Sequence, residues 1–229
     1  MRTVRRFLLP VLLLTSAPAM AADPAHPAVV ELFTSQGCSS CPPTNAAVAE
    51  LADRPDVLAL SFGVTYWDYL GWKDTFAAPA YTQRQRDYAR WLGNRQVFTP
   101  QVVVNGRAST VGASRGLIER ELRRADRGAG GPALRLEPGR VSVGGAKGAQ
   151  GADVWLVRYD PRVVRVPVRR GENGGRTLPH RNVVRQLVRL GGWSGEPRAY
   201  VLPAAAPGLR TAVLVQDRRS GAVLAAAKA

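Results

Sequence analysis

An α/β domain carrying a helical insert, followed by a small all-β, sandwich-like domain, is the fold class that the sequence predicts. Three observations predict it. Short apolar runs alternate with helical spacings as far as Arg124, and a Gly- and Pro-rich break follows, Arg127-Gly128-Ala129-Gly130-Gly131-Pro132. Beyond the break come only short β-type runs separated by Gly, Pro and Asn turns. The expected limits are 22–128 for the first domain and 129–229 for the second, after an N-terminal segment, 1–21, of a different kind.

That segment has three parts. Met1 to Arg6 carries three arginines, Phe7 to Leu14 is an apolar run of eight residues interrupted by Pro10, and Ala17-Pro18-Ala19 or Ala19-Met20-Ala21 offers a small-x-small cleavage site. This is the layout of a cleaved secretory signal peptide, so a periplasmic or secreted location is expected. The run is too short for a hydrocarbon core that needs roughly 20 apolar residues. No later segment is apolar for long enough to span a bilayer, and no stable membrane span is expected.

The mature chain of about 208 residues keeps a formal charge of +12, the +15 of the whole chain less Arg2, Arg5 and Arg6. The positive charge is nearly all arginine and is spread along the chain rather than gathered in a stripe with interleaved aromatics, so nucleic acid is not an expected partner.

Val29-Val30-Glu31-Leu32-Phe33-Thr34 reads as a strand buried in a parallel sheet, and Ala47, Val48 and Leu51 mark one face of a helix over 46–52. Between them lie the chain's two cysteines, Cys38 and Cys41. Pro42 and Pro43 fit only a first helical turn, which puts the pair at a helix N-terminus, with Cys41 near the cap. Free N–H groups and the macrodipole favour a thiolate there. Cys38 is the expected nucleophile, because it precedes the helix and is expected to be the more exposed of the two. A disulfide this short closes a tiny loop and adds little chain-entropy stabilisation, whereas the spacing suits attack by one thiol and resolution by the other.

Val57 to Val64 is a second strand, and a strand-helix-strand unit of this length implies parallel pairing with both carboxyl ends on one edge, where ligands bind. The next residues, Thr65-Tyr66-Trp67-Asp68-Tyr69-Leu70-Gly71-Trp72, are the densest aromatic cluster. They form either an apolar wall for a substrate, with Tyr66 and Trp67 beside the cysteines, or a mini-core beneath a helix from about Pro79 to Leu92. Asp68 reads as a turn cap or an alternative base. Pro100 opens a β-rich run ending at Asn105-Gly106, a hairpin signal, and Leu117, Ile118 and Leu122 define a closing amphipathic helix over 114–124.

Glu31 is a carboxylate within an apolar strand, costly unless paired, hydrogen-bonded or protonated. It is a candidate proton acceptor for the resolving cysteine; an arginine-paired or edge-facing glutamate is the other reading. In the second domain, runs at 134–136, 140–143, 154–159, 163–168, 183–190, 199–202 and 211–216 read as strands, and Gly171-Glu172-Asn173-Gly174-Gly175 as a hairpin loop. Whether Arg170, Glu172, Arg176 and His180 face the cysteines or a partner is open at this level.

The order strand, Cys-x-x-Cys helix, strand, helical insert, Pro-led hairpin, helix resembles the thioredoxin fold, on Cys38, Cys41 and Thr99-Pro100. The resemblance implies a cis-proline at Pro100 facing the cysteines, with Thr99 offering backbone groups to a substrate chain. Leu32 to Cys38 is similar to the glutaredoxin approach to the first cysteine. A closer resemblance is to an exported bacterial family catalogued as domain of unknown function 1223, on Glu31 to Pro43, Tyr66 to Lys73, Tyr81 to Arg86 with Tyr88-Ala89, Thr99 to Arg107, Arg170-Gly171-Glu172-Asn173 and Gly175-Arg176. It implies fold and location, without a substrate.

The function expected is thiol-disulfide oxidoreduction on exported proteins or small thiols, with a redox partner to recycle the pair and no cofactor. Two other classes compete. A copper carrier needs soft ligands, and the mature chain offers only the two cysteines, His26 and His180; no metal site is expected. A binding module with an inert disulfide would place function in the β domain.

Overall fold

The computed structural model describes residues 22–112, 114–147 and 151–229; the expected signal peptide, 1–21, lies outside them. The fold is mixed α/β, a large sheet with three α-helices among the described residues. In chain order the first half holds β1 (Ala28–Thr34), α1 (Cys41–Leu51), β2 (Val57–Gly63), a single 3-10 turn (Asp68–Leu70), α2 (Pro79–Trp91), β3 (Gln101–Val104), β4 (Ala108–Thr110) and α3 (Arg115–Arg124). The second half holds β5 (Leu134–Glu137), β6 (Arg140–Val143), β7 (Ala152–Asp160), β8 (Val164–Pro167), β9 (Thr177–His180), β10 (Val183–Trp193), β11 (Arg198–Val201), β12 (Arg210–Asp217) and β13 (Val223–Lys228).

β1 and β2 are parallel in register, Ala28 opposite Val57 through Thr34 opposite Gly63, and every residue of both is buried. Burial on both faces explains why neither strand alternates apolar with polar residues. β3 returns antiparallel beside β1, and Asn105-Gly106 turns the chain into β4. Asn105 holds positive φ (49°) and ties the turn down: its Oδ1 accepts from Val29 N (2.8 Å) and its Nδ2 donates to Ala125 O (3.0 Å). Gly106 is at φ 62° and packs so closely on the Gly221 carbonyl that a Cβ would lie 2.0 Å from it.

A separate C-terminal sandwich is not what forms. Four of the later strands extend the first half's sheet, giving the eight-strand order β13-β12-β7-β10-β2-β1-β3-β4. The junction is short: β10 pairs with β2 in parallel at Val183 and Ser61. Asn182 supplements it, with its Nδ2 donating to Ala59 O (2.7 Å) and its carbonyl accepting from Ser61 N (3.0 Å). The sandwich expectation survives in a shared form. β5, β6 and β11 make a three-stranded sheet whose Val141, Val143 and Tyr200 pack on Val154, Leu156, Val213 and Val215 of the large sheet.

The large sheet is therefore covered on both faces. On one, α2 packs Tyr81 and Tyr88 over Val29, Phe33, Leu60 and Phe62, and the same cluster continues to Val157, Ala212 and Leu214 of the second half. On the other, α1 and α3 cover Val30, Leu32, Val102 and Val104, and the small sheet covers the remainder. The hairpin β8–β9, inserted between β7 and β10, packs Val166, Val168 and Leu178 on Trp72 and Phe76. No helix among the described residues is long and apolar enough to cross a membrane.

Candidate functional site

β1 ends at Thr34, and after six intervening residues α1 begins at Cys41, five residues earlier than the apolar spacing alone predicts. Pro42 and Pro43 account for the early start, since both fit a first turn and neither needs an intrahelical donor. Cys38 and Cys41 form a disulfide. The connecting loop is wound tightly, with Cys38 N donating to Ser35 O (3.2 Å) and Cys41 N to Cys38 O (3.2 Å). Ser40 Oγ lies 3.3 Å from Cys38 Sγ, and Thr34 Oγ1 donates to Asn45 Oδ1 of α1 (2.8 Å).

The aromatic segment holds this loop from one side. Trp72 Nε1 donates to Gln36 Oε1 (2.9 Å), Gln36 Nε2 to Thr75 Oγ1 (2.9 Å), and Gln36 N to Asp74 Oδ2 (2.7 Å). Burial pushes the Asp74 carboxyl above the usual aspartate range, and the nearby Asp68 adds to the push. Asp68 itself accepts from Asp74 N through Oδ1 (3.1 Å), a bond across the loop after the 3-10 turn. Trp67 sets its Cβ and carbonyl beside Gly37 and donates from Nε1 to Thr99 Oγ1 (2.8 Å), so one residue links the cysteine loop to the residue before Pro100. The Thr99–Pro100 peptide is cis. Tyr66 and Trp67 pack on the core beneath α2 while Tyr69 is 79% exposed; the segment is part mini-core and part surface. Burial raises the Tyr66 hydroxyl above its ordinary range.

The β8–β9 loop closes the site from the other side. Asn173, fully buried, donates from Nδ2 to both Gln36 O (3.0 Å) and Cys38 O (2.8 Å), and Arg176 Nη1 donates to its Oδ1 (2.6 Å). Glu172 Oε2 accepts from Ser39 N (2.9 Å), a bond that holds its carboxyl below the usual glutamate range. With this loop in place both cysteines are 0% exposed. The expectation of an exposed Cys38 is thereby corrected: a position ahead of a helix is open only if no other part of the chain crosses it, and here a segment 135 residues away does.

Cys38, Cys41, Trp67 and Thr99-Pro100 thus belong to one edge of the sheet, whereas Glu31 is not brought to them. Glu31 shares the sheet face of Val29 and Phe33, beneath α2, and α1 lies on the opposite face over Val30 and Leu32. Its carboxylate is bonded by Arg84 Nε, by Arg84 Nη2 (2.8 Å) and by Tyr88 Oη (2.6 Å). The arginine-paired reading of this residue is the one that the geometry carries, and strand parity is the reason. Glu172 and Asn173 are the contact residues that sequence reasoning left unassigned. Their signal was an acid and an amide set among three glycines, visible in sequence but not assignable to a partner 130 residues away.

No group of three or more histidine, cysteine or acidic residues is arranged to hold a metal among the described residues. A family profile described as "Protein of unknown function (DUF1223)" matches residues 29–216. No curated protein matches the chain. Among solved structures, a protein from Agrobacterium tumefaciens is 33% identical with a TM-score of 0.73, over 93% of this chain and 95% of that one. HBP35 of Porphyromonas gingivalis is similar in fold at 12% identity and a TM-score of 0.60, over 90% of this chain and 75% of that one.

Proposed function

From a chain that belongs to the family of unknown function DUF1223, and from the geometry of its cysteine edge, we propose an exported thiol-disulfide oxidoreductase of thioredoxin-like fold, working through Cys38 and Cys41. The observation that carries the proposal is that Trp67 joins the disulfide loop, at Gly37, to Thr99 at the same sheet edge. A bond closing so small a ring gives little stability, yet the fold commits two remote segments to holding its loop. The element order β1, α1, β2, α2, β3, β4, α3 supports the thioredoxin-like reading of the first half. In the proposed cycle Cys38 is attacked or attacks, Cys41 resolves, and Thr99-Pro100 with Tyr66 and Trp67 position the visiting chain. The proton-acceptor role proposed from sequence for Glu31 is not part of this cycle, since its oxygens are committed to Arg84 and Tyr88.

Burial of both sulfurs requires the loop carrying Glu172 and Asn173 to move before a partner sulfur approaches. The same burial favours a second reading, a binding module whose bridge is inert. One experiment separates them. The mature protein is equilibrated without denaturant in dithiothreitol buffers, and its thiols are counted by alkylation. The oxidoreductase is expected to exchange reversibly, and Cys41→Ser to accumulate mixed disulfides at Cys38 in the exported compartment that Cys38→Ala lacks. A bridge with a potential below about −300 mV and no trapped partners supports the inert reading instead.

A further inference from the structure

We infer that Glu172 sets the redox poise of the Cys38–Cys41 pair, by competing with a Cys38 thiolate for the positive end of α1. The inference rests on the exchange reading above and concerns what biases that exchange.

Few donors are available to a thiolate at this helix start. Pro42 and Pro43 have no N–H, so two of the groups that an ordinary first turn presents are missing. Cys41 N is bonded to Cys38 O, and Ser39 N to Glu172 Oε2 (2.9 Å). Ser40 makes no cap bond to the helix backbone, and its Oγ, 3.3 Å from Cys38 Sγ, is the side-chain donor left to the thiolate. Glu172 thus places a full negative charge on the amide next to Cys38, in front of the helix, where a thiolate would draw its stabilisation. The carboxylate is held there by its neighbour, since Asn173 anchors the loop on Gln36 O and Cys38 O and is itself braced by Arg176. The other charges near the loop are Arg170, whose stem lies beside Gly71, and Asp74 with Asp68 behind Gln36. Arg170 and Arg176 attract a thiolate and the two aspartates repel it, but Glu172 is the charge bonded to the cysteine loop's own outer amide.

The consequence follows from the steps of reduction. A dithiol reductant's thiolate attacks Cys38 Sγ, the bond to Cys41 breaks, and Cys41 leaves as a thiolate that takes up a proton. The reductant's second thiolate then attacks its own sulfur in the mixed disulfide, closing the reductant's disulfide and releasing Cys38 as a thiolate. Two electrons pass to the pair, and the two protons that the reductant loses go to solvent or to the cysteines. The last leaving group is Cys38, and a seated Glu172 disfavours it. Loop closure and the oxidised state therefore support each other, and by linkage reduction loosens the loop by the same factor.

The test uses the mature protein, Glu172→Gln and Glu172→Lys, equilibrated with dithiothreitol at graded ratios, with the pH profile of Cys38 alkylation read alongside. Glu172→Gln is expected to raise the equilibrium constant for reduction about three- to fivefold, as for an exposed charge removed from a helix end, or about 15–20 mV for a two-electron couple. It is also expected to lower the apparent Cys38 pKa, with Glu172→Lys moving both readings further and Glu172→Asp restoring them. Amide exchange across 169–176 is expected to quicken on reduction of the parent protein. A reducible parent whose potential and alkylation profile are unchanged in both folded variants overturns this inference alone. A parent bridge that stays oxidised at every ratio overturns the exchange reading and this inference with it.

Discussion

Replacing Arg84 with methionine is expected to destabilise the protein by about 3–5 kcal/mol, the usual cost of leaving a buried charge without its partner. The melting temperature is then expected to fall by roughly 10 °C for a chain of this size. The side chains of Arg84 and Glu31 are 4% and 1% exposed, and the guanidinium also lies 5.1 Å over the Tyr88 ring and 5.7 Å over that of Trp155. Burial alone would push the guanidinium down, but Glu31, through its charge and hydrogen bonds, together with Tyr88 and Asp87 more than reverses that and holds it up. Arg84 Nη1 also reaches Gln216 Oε1 of β12 (3.1 Å), whose Nε2 donates to Tyr88 Oη (2.9 Å). One polar network therefore spans strands from both halves, and losing its centre leaves the Glu31 charge uncompensated and Gln216 Oε1 without its donor. The double variant Arg84→Met/Glu31→Leu is expected to recover most of the loss, since it removes both charges. Thermal or urea unfolding of the single and double variants checks this, and a double variant no more stable than the single one would contradict the charge-pair account.

The second large effect is on pH. His180 is 4% exposed, meets the Phe76 ring edge-on at 5.3 Å, and has no hydrogen-bond partner at Nε2 among the described residues. Burial pushes its pKa down to about 4. The adjoining cavity, lined by Thr34, Ser61, Asp74 and Val183, is about 10 Å³, room for at most one water, so an imidazolium there gains little hydration. Because the folded pKa lies below the unfolded value, the unfolded chain binds the extra proton first. The stability that the neutral ring contributes is complete above about pH 6.5 and is lost as pH falls toward 4, by about 3 kcal/mol in all. Asp74 acts in the opposite sense: its folded pKa is raised, so protonation favours the native state, and part of the loss is masked. The comparison that isolates the histidine is the difference between His180→Phe and the parent across pH 4–7. That difference is expected to change steadily through the window; parallel profiles would rule out His180 as the titrating group.

The elements of the first half were legible in order because each carries its own local signal. Val29 to Thr34 and Val57 to Val64 are mostly apolar runs, Asn105-Gly106 is a turn dipeptide, and Ser114 caps α3 by accepting from Leu117 N. Most strands of the second half were legible for the same reason. Two were not. β9 is Thr-Leu-Pro-His, whose proline argues against a strand, and β13 is alanine-rich, without the β-branched or aromatic residues that mark one. The site was legible only where it is local. The cysteines and Thr99-Pro100 stood out by type and spacing, but the cover over Cys38 and the partner of Glu31 come from remote segments. Neither Asn173 nor Arg84 carries any sequence mark of the residue it reaches.

The junction of β10 with β2 bears on how this protein can be taken apart. Cutting the chain at the glycine-rich break would free Ser61 N and Ala59 O, the groups that Asn182 holds, and bare the apolar cluster shared with Val157, Ala212 and Leu214, so a fragment is expected to self-associate. The break looks like a seam between interchangeable modules. Because one sheet and one apolar cluster run across it, fragments made there are expected to be adhesive rather than autonomous.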